Sequence, residues 1–204
     1  MSGMTSDAPS PRKPLDEARQ RRLLEAALTV FLRYGFRKTS MDEVARAAQV
    51  SRQGLYLHFA TKEELFRATV EYTLENSLAA ATAALGDASL RLEARLVRAF
   101  DEVTGRHVGM MGAGASDLLE AGGEIIGPML ARHEELFLEA VAKTLRTSGL
   151  LAAYKTAGLT ARQLADTLYA TSRGLKHSSA NREAFVAGMT VAVRAMCAPL
   201  EESA

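Results

Sequence analysis

The 204-residue chain is 48% hydrophobic and 24% charged, a composition that allows a sizeable buried core and excludes a wholly disordered chain. Its single cysteine, Cys197, excludes an intrachain disulfide and lies in an apolar run, where a small core residue is expected. There is no apolar leader segment and no uncharged apolar stretch of about 18 residues, so the sequence predicts a cytoplasmic protein.

The charges are unevenly distributed along the chain. Residues 1–62 contain eleven basic and six acidic side chains, whereas residues 63–204 contain fourteen basic and eighteen acidic ones. The first section therefore has a net charge of +5 and the second has −4, although the whole chain carries only +1. The sequence thus predicts a cationic N-terminal section on an anionic body.

The first predicted helix follows a proline-rich segment. Residues 1–14 contain three prolines and are predicted to form a disordered tail. From Asp16 to Tyr34, apolar residues recur every three or four positions, which indicates an amphipathic helix. Gly35 follows directly and is expected to end that helix in a left-handed conformation.

Two short helices and a long one are predicted next. Ser40 and Glu43, three residues apart, form a capping box that opens a helix of about two turns. Ser51 is the N-cap of a second short helix, which is expected to end at about residue 59. Thr61 and Glu64 form another capping box, at the start of a long helix.

After Gly86 the helical period continues without strand-like alternation, so the sequence predicts an all-α protein of about nine helices. Breaks are expected at segments rich in glycine and serine. The predicted helices in this part are Ser89 to about His107, Ser116 to Ala121, Glu124 to about Thr147, Thr160 to about His177 and Asn181 to about Ala198.

The second short helix has the features of a DNA-reading element. At about 100° per residue, its side chains fall on two opposite arcs. The presented arc carries Arg52, Gln53, Tyr56 and Leu57, and the anchoring arc carries Leu55, His58 and Phe59. Two short helices joined by a tight turn are the arrangement by which a helix-turn-helix places its second helix in the major groove.

The residue types on the presented arc suit base recognition. Arginine pairs with O6 and N7 of guanine, and glutamine pairs with N6 and N7 of adenine, which makes Arg52 and Gln53 candidate base readers. Gly54 lacks a side chain and lets the backbone approach the duplex, offsetting a helix-propensity cost of about 1 kcal/mol.

Other residues nearby are candidates for contacts with phosphates. Tyr56 can donate its hydroxyl to a phosphate oxygen, although a core tyrosine is the alternative. Thr39, Ser40 and Lys62 lie at helix N-termini, where backbone N–H groups favour anions. For His58, a packed histidine and a phosphate contact are equally compatible with the sequence.

The segment TSMDEVARAAQVSRQGLYLHFATKEELF, residues 39–66, resembles the DNA-binding domain of the TetR/AcrR family of transcriptional regulators. The similarity extends back over RRLLEAALTVFLRYGFRKTS, and the Leu-Tyr-x-His-Phe run is among its most specific features. Gln49 stands where this family commonly has glycine, so a positive φ is expected there. The resemblance implies base contacts for Arg52, Gln53 and Gly54, and backbone contacts for Thr39, Tyr56, His58 and Lys62.

The resemblance also implies an architecture. It predicts an N-terminal three-helix helix-turn-helix domain at residues 15–62, followed by a larger C-terminal helical bundle for ligand binding and dimerisation at residues 63–204. It assigns the apolar stripes on the last two predicted helices to a four-helix dimer interface. Packing within one chain is the alternative. The residues concerned are Leu164, Leu168, Leu175, Phe185, Met189 and Val193.

An effector pocket is expected in the middle section, from about Tyr72 to Tyr154. Methionine and aromatic side chains there suit a small hydrophobic or amphipathic molecule, and plain core packing is the alternative. The candidate lining residues are Phe100, Val103, His107, Met110, Met111, Met129 and Phe137.

These patterns together predict a homodimeric, ligand-responsive regulator, most often a repressor in this family, that an effector releases from a palindromic DNA operator. The alternative is a helical ligand-binding or protein-interaction module whose helix-turn-helix does not bind DNA. The catalytic motifs fail: GMMGAGASD follows no strand and matches neither phosphate-binding glycine pattern, and His133-Glu134 lacks a second histidine. The sequence therefore predicts no enzyme, no cofactor and no metal.

Overall fold

The computed structural model describes residues 14–109 and 115–201, and the regular structure in those ranges is helical throughout. Nine α-helices are present there, together with a 3-10 turn at Gly105–His107. The all-α prediction is confirmed. The helices are α1 Pro14–Lys38, α2 Met41–Ala47, α3 Arg52–Tyr56, α4 Lys62–Gly86, α5 Leu92–Val103, α6 Ala115–Thr147, α7 Leu150–Ala153, α8 Ala161–Ser178 and α9 Arg182–Glu201.

The helix boundaries differ from prediction in the second half of the chain. The two helices predicted at residues 116–121 and 124–147 are one continuous helix, α6. A glycine weakens a helix by only about 1 kcal/mol relative to alanine, and packing of α6 against α1, α4 and α8 overrides that preference. The single-turn helix α7 was not predicted; it begins after Gly149, whose φ is 82°.

Gly35 bends α1 rather than ending it cleanly. Its φ of 81° is positive as expected, but its ψ of 171° is extended, and a further helical turn follows before Lys38. Glycine tolerates this conformation because it has no Cβ. The hydroxyl of Thr39 donates a hydrogen bond of 2.7 Å to the carbonyl oxygen of Gly35, which closes the connection into α2.

The N-terminal helices share one hydrophobic core. The ring centroid of Phe66 lies 5.0 Å from those of both Phe31 and Phe36. Leu55 of α3 is fully buried in this core, and Ile126 of α6 joins it from the other half of the chain. The helix α6 is therefore in direct contact with the elements that position α3.

A second, larger core holds α4 to α9 together. Phe100 of α5 and Phe137 of α6 are fully buried and meet edge to face, with ring centroids 5.0 Å apart. The helix α4 contributes its first turns to the N-terminal core and its last turns to the second core. Within the described ranges, no helix has the length and hydrophobicity needed to cross a lipid bilayer.

Candidate nucleic-acid interface

The short helix α2 is held at its start by the predicted capping box. The Ser40 hydroxyl accepts a 3.3 Å hydrogen bond from the Glu43 backbone N–H, and the Glu43 carboxylate accepts a 2.8 Å bond from the Ser40 N–H. These bonds from Ser40 lower the pKa of Glu43 below its ordinary value. After α2, Gln49 has a φ of 55°, so the expected positive φ in the turn is confirmed.

The helix α3 is fixed at both ends. The Ser51 hydroxyl accepts a 3.0 Å hydrogen bond from the Gly54 N–H, which caps its first turn. Leu55 and Phe59 are buried and anchor its inner side. The helix ends at Tyr56, three residues earlier than predicted, and Leu57 is its C-cap.

The guanidinium of Arg52 is presented to solvent but held in place. Its side chain is 66% exposed, and its Nη1 lies 3.0 Å from Oδ2 of Asp42 on α2. The guanidinium carbon also lies 5.6 Å from the centroid of the exposed Tyr56 ring. Gln53 is exposed beside it. The Arg52 guanidinium and the Gln53 carboxamide therefore both lie outside the protein interior, as the sequence predicts.

His58 differs from the sequence expectation. The residue was placed on the anchoring arc, yet its side chain is exposed. On a helical wheel it lies about 80° from the direction shared by Leu55 and Phe59, at the edge of that arc. It borders a cavity of about 190 Å³ between α1 and α3, together with Arg19, Gly54 and Leu57.

Two predicted phosphate contacts are engaged within the protein. Thr39 is only 3% exposed, and its hydroxyl proton is used in the bond to Gly35. The half-buried Lys62 places its Nζ 3.3 Å from the carbonyl oxygen of Arg37 and 4.6 Å from the ring centroid of Phe36. Both residues connect the end of α1 to the elements that follow, and their contacts with DNA stay predictions.

Gly54 has an internal role that the sequence did not reveal. A Cβ at this position would lie 3.0 Å from the Ser51 hydroxyl oxygen. Since that oxygen accepts the N-cap hydrogen bond, a larger residue would crowd the cap. The absence of a side chain therefore serves the start of α3 as well as any close approach to a duplex.

The residues predicted to form the dimer interface require a correction. Leu164, Leu168, Phe185, Met189 and Val193 are buried in the core of a single chain, and Leu175 packs against that core. The interface prediction is wrong for these stripes because they are the faces that α8 and α9 turn towards α5 and α6 and towards each other. The exposed faces carry Ala170 and Gly174 on α8, and Ala184, Ala187, Val191 and Ala195 on α9.

The predicted effector residues do not line one cavity. Phe100 and Phe137 are packed core, which corrects their assignment, and Val103 packs against the same core. Met110 and Met111 lie outside the described residues. Met129 and His107 border two different cavities, the first between α4 and α6 and the second between α1, α4 and the 3-10 turn.

The cavity between α4 and α6 has a volume of about 200 Å³ and a mixed lining. Its apolar floor comes from leucines and Met129, and its polar groups include the acids Glu71 and Glu75. The Nε2 of His133 lies 3.3 Å from the Ser77 hydroxyl at this site, and burial lowers the pKa of His133. The lining residues are Glu71, Leu74, Glu75, Leu78, Met129, Arg132, His133 and Leu136.

The lowered pKa of His107 predicts that the folded protein loses stability in acid. Burial, with the nearby charges of Lys176 and Arg106, lowers its pKa from 6.5 to about 4. The unfolded chain therefore binds a proton that the folded protein does not, so stability falls as the pH drops from about 6.5 to about 4. We expect His107→Gln to reduce that loss by about 2 kcal/mol, measured by urea unfolding across this pH range.

The control for this prediction is His177→Gln, which removes an exposed histidine on α8. It should leave the pH dependence of the free energy of unfolding as it is in the parent chain. An equal pH dependence for His107→Gln and the parent chain would contradict the assignment.

An N-capped helix that presents arginine and glutamine, fixed behind a short helix and a tight turn, defines the helix-turn-helix class of DNA-binding proteins. Residues 23–69 match the family model described as bacterial regulatory proteins, tetR family. The N-terminal segment of this chain is therefore similar to the tetR family.

Individual relatives match the N-terminal part. The uncharacterized HTH-type transcriptional regulator YfiR of Bacillus subtilis is 42% identical over 71 residues, which are 35% of this chain and 35% of that protein. The HTH-type transcriptional activator FasR of Mycolicibacterium smegmatis is 39% identical over 93 residues, 44% of this chain and 42% of that protein. The matched segments thus span less than half the length of these two relatives.

The structural similarity extends further along the chain. A solved structure of a TetR transcriptional regulator from Legionella pneumophila matches with a TM-score of 0.66 at 18% identity. The match covers 86% of this chain and 95% of that one. The helical body is therefore of the same fold, although little of its sequence is shared.

Proposed function

We propose that this protein is a dimeric, sequence-specific DNA-binding regulator of transcription that a small hydrophobic or amphipathic effector releases from a palindromic operator. The observation that carries the proposal is the exposed, N-capped α3, from which Arg52 and Gln53 project on a cationic N-terminal section. In this proposal residues 15–62 read DNA and the remaining helices bind the effector and the second subunit. Its action on operator DNA takes place in the cytoplasm.

The proposal needs two copies of α3. A single helix-turn-helix of this size has too little contact area for tight specific binding, and paired reading helices are spaced by about one helical turn of DNA, roughly 34 Å. The corrected candidate for the dimer surface is the exposed face of α8 and α9. Val191 is 69% exposed at its centre, and the small residues around it allow close packing of a second copy.

The effector site that the structure supports best is the cavity between α4 and α6. Met129 borders this cavity and also packs against the N-terminal core. A molecule that separates α4 from α6 would therefore shift the base of the reading domain. Since it binds better to the shifted state, it would favour a dimer whose α3 helices are wrongly spaced for the operator.

Repression follows from occupancy in this proposal, because a dimer bound in the ligand-free state excludes other proteins from the same DNA. The test begins with selection of a duplex from a random pool by the full chain. Affinity for the selected duplex should fall steeply as salt rises, since bound phosphates release counterions. A chain that selects no duplex would contradict the proposal and favour a protein-interaction module.

Arg52→Ala is the sharpest single substitution for this test. Loss of a bidentate base contact should cost about 1–3 kcal/mol of binding free energy and relax base preference at one position in each half-site. Fluorescence anisotropy with the selected duplex and with variants at each position measures both effects. Uniform weakening on all duplexes would instead assign Arg52 to a phosphate.

The matched control is Arg146→Ala. Arg146 is also an exposed arginine paired with a carboxylate, that of Glu139, but it lies near the end of α6. Its removal should leave operator affinity unchanged. A comparable loss with Arg146→Ala would attribute the Arg52 effect to net charge alone.

A further inference from the structure

Leu57 is the feature of the DNA-facing side that the proposed function leaves unexplained. It is 80% exposed, the highest value among the large hydrophobic residues that are exposed in the described part of the chain. A single exposed leucine is common on a protein surface and by itself needs no explanation. What distinguishes Leu57 is its place at the end of α3, on the same side as the exposed candidate base readers Arg52 and Gln53.

The geometry of α3 directs Leu57 away from the N-terminal core, at the edge of the cavity between α1 and α3. Its backbone is still helical, with φ −68° and ψ −22°, so the helical wheel applies to it. On that wheel it lies about 180° from the direction midway between the buried Leu55 and Phe59, and about 40° from Gln53. The side chain thus stands at the outermost point of the presented face, one turn beyond Gln53.

We propose that Leu57 is a base-reading residue that makes an apolar contact with the C5-methyl group of a thymine in the major groove. This rests on the proposed function, because it requires α3 to enter that groove. DNA is the partner that the charge favours, since the surrounding N-terminal section carries +5, exposed Arg52 begins α3, and exposed Arg46 lies on the neighbouring α2. The thymine methyl is the one apolar group that a base pair presents in the major groove.

The position of the thymine follows from the helix dimensions. Leu57 lies four residues beyond Gln53, a rise of about 6 Å along the axis. Successive base pairs are separated by about 3.4 Å, so the contacted thymine lies within about two base pairs of the pair that Gln53 reads. The helix axis crosses the groove at an angle, which shortens this offset rather than extending it.

The test uses the full chain and the duplex selected above. Each thymine is replaced in turn by deoxyuridine, which lacks only the C5-methyl group, and affinities are measured by fluorescence anisotropy. For the parent chain, one thymine in each half-site should be sensitive, with a loss of about fourfold, the value expected for one methyl group removed from an apolar contact. Leu57→Ala should weaken binding to the thymine duplex and show no further loss on deoxyuridine replacement.

The control variant is Leu159→Ala, which shortens an exposed leucine in the connection before α8. It should retain the deoxyuridine sensitivity of the parent chain. Circular dichroism and thermal unfolding establish that both variants fold, which is expected for exposed side chains.

Three outcomes overturn the assignment while leaving the proposed function intact. The first is a parent chain that tolerates deoxyuridine at every position, and the second is a Leu57→Ala variant that keeps the parent's sensitivity. The third is equal weakening of Leu57→Ala on selected and unrelated duplexes, which would place the side chain against the sugar-phosphate backbone. If no duplex is selected, the proposed function and this assignment fail together.

Discussion

Phe185→Ala is expected to lower the free energy of unfolding by about 3–5 kcal/mol, because it removes a large side chain from the core. Phe185 lies on α9, and its side chain is fully buried in the second core. A Cβ added to Gly105 would lie 2.8 Å from Cδ1 of Phe185, which shows how closely the ring packs against the 3-10 turn. Truncation therefore leaves a cavity in the core. Urea unfolding followed by circular dichroism measures the loss.

The control for this prediction is Leu159→Ala, in the connection before α8. Because Leu159 is exposed and lies outside the proposed dimer surface, its truncation should change the free energy of unfolding by no more than about 0.5 kcal/mol. Both variants are compared at one protein concentration, since dimer formation itself adds to apparent stability. If Phe185→Ala leaves the unfolding curve unchanged and only dissociates the dimer, the assignment of Phe185 to an interface is restored.

Val191→Asp is expected to convert the dimer to monomers and to reduce operator affinity by about 10²- to 10⁴-fold. A carboxylate at the centre of the proposed surface would be buried against its own copy across a two-fold axis, where like charges repel. Separated chains lose the effective concentration that joins two half-sites. Sedimentation velocity reports the oligomeric state, and anisotropy with the selected duplex reports the affinity.

The control here is Ala83→Asp, which adds the same charge to an exposed position on α4. It should stay dimeric and bind the operator with unchanged affinity. A Val191→Asp variant that remains dimeric would move the interface to another face of the molecule.

The features that were predicted correctly are local ones. The N-caps at Ser40, Ser51 and Thr61 depend on hydrogen bonds between residues three apart, so the residue types are sufficient to predict them. The capping box predicted at Thr61 is not closed, because the Glu64 carboxylate accepts its hydrogen bond from the N–H of Ala60 instead of that of Thr61. The positive φ of Gln49 follows in the same way from the tight turn in which it lies. No distant contact is needed for either inference.

The predictions were wrong where contacts between residues far apart in the sequence determine the structure. A glycine pair predicted a break in α6, but the packing of α6 as a whole against α1, α4 and α8 keeps the helix continuous. Phe100 and Phe137 had the size and softness of pocket residues, yet their rings meet each other in the core. The positions of the cavities depend on how α4, α5 and α6 pack against one another. The composition of a short stretch of sequence does not determine that packing.

The sequence by itself determined the helical class, the order of the short helices and the presence of arginine and glutamine on the outer side of α3. Those properties follow from periodicity and capping within a few residues of chain. Only the tertiary structure decided which stripe of α8 and α9 is buried, that His58 faces solvent and that Thr39 is enclosed. An amphipathic helix shows which of its faces is apolar, but the partner that covers this face is chosen by all the other helices together.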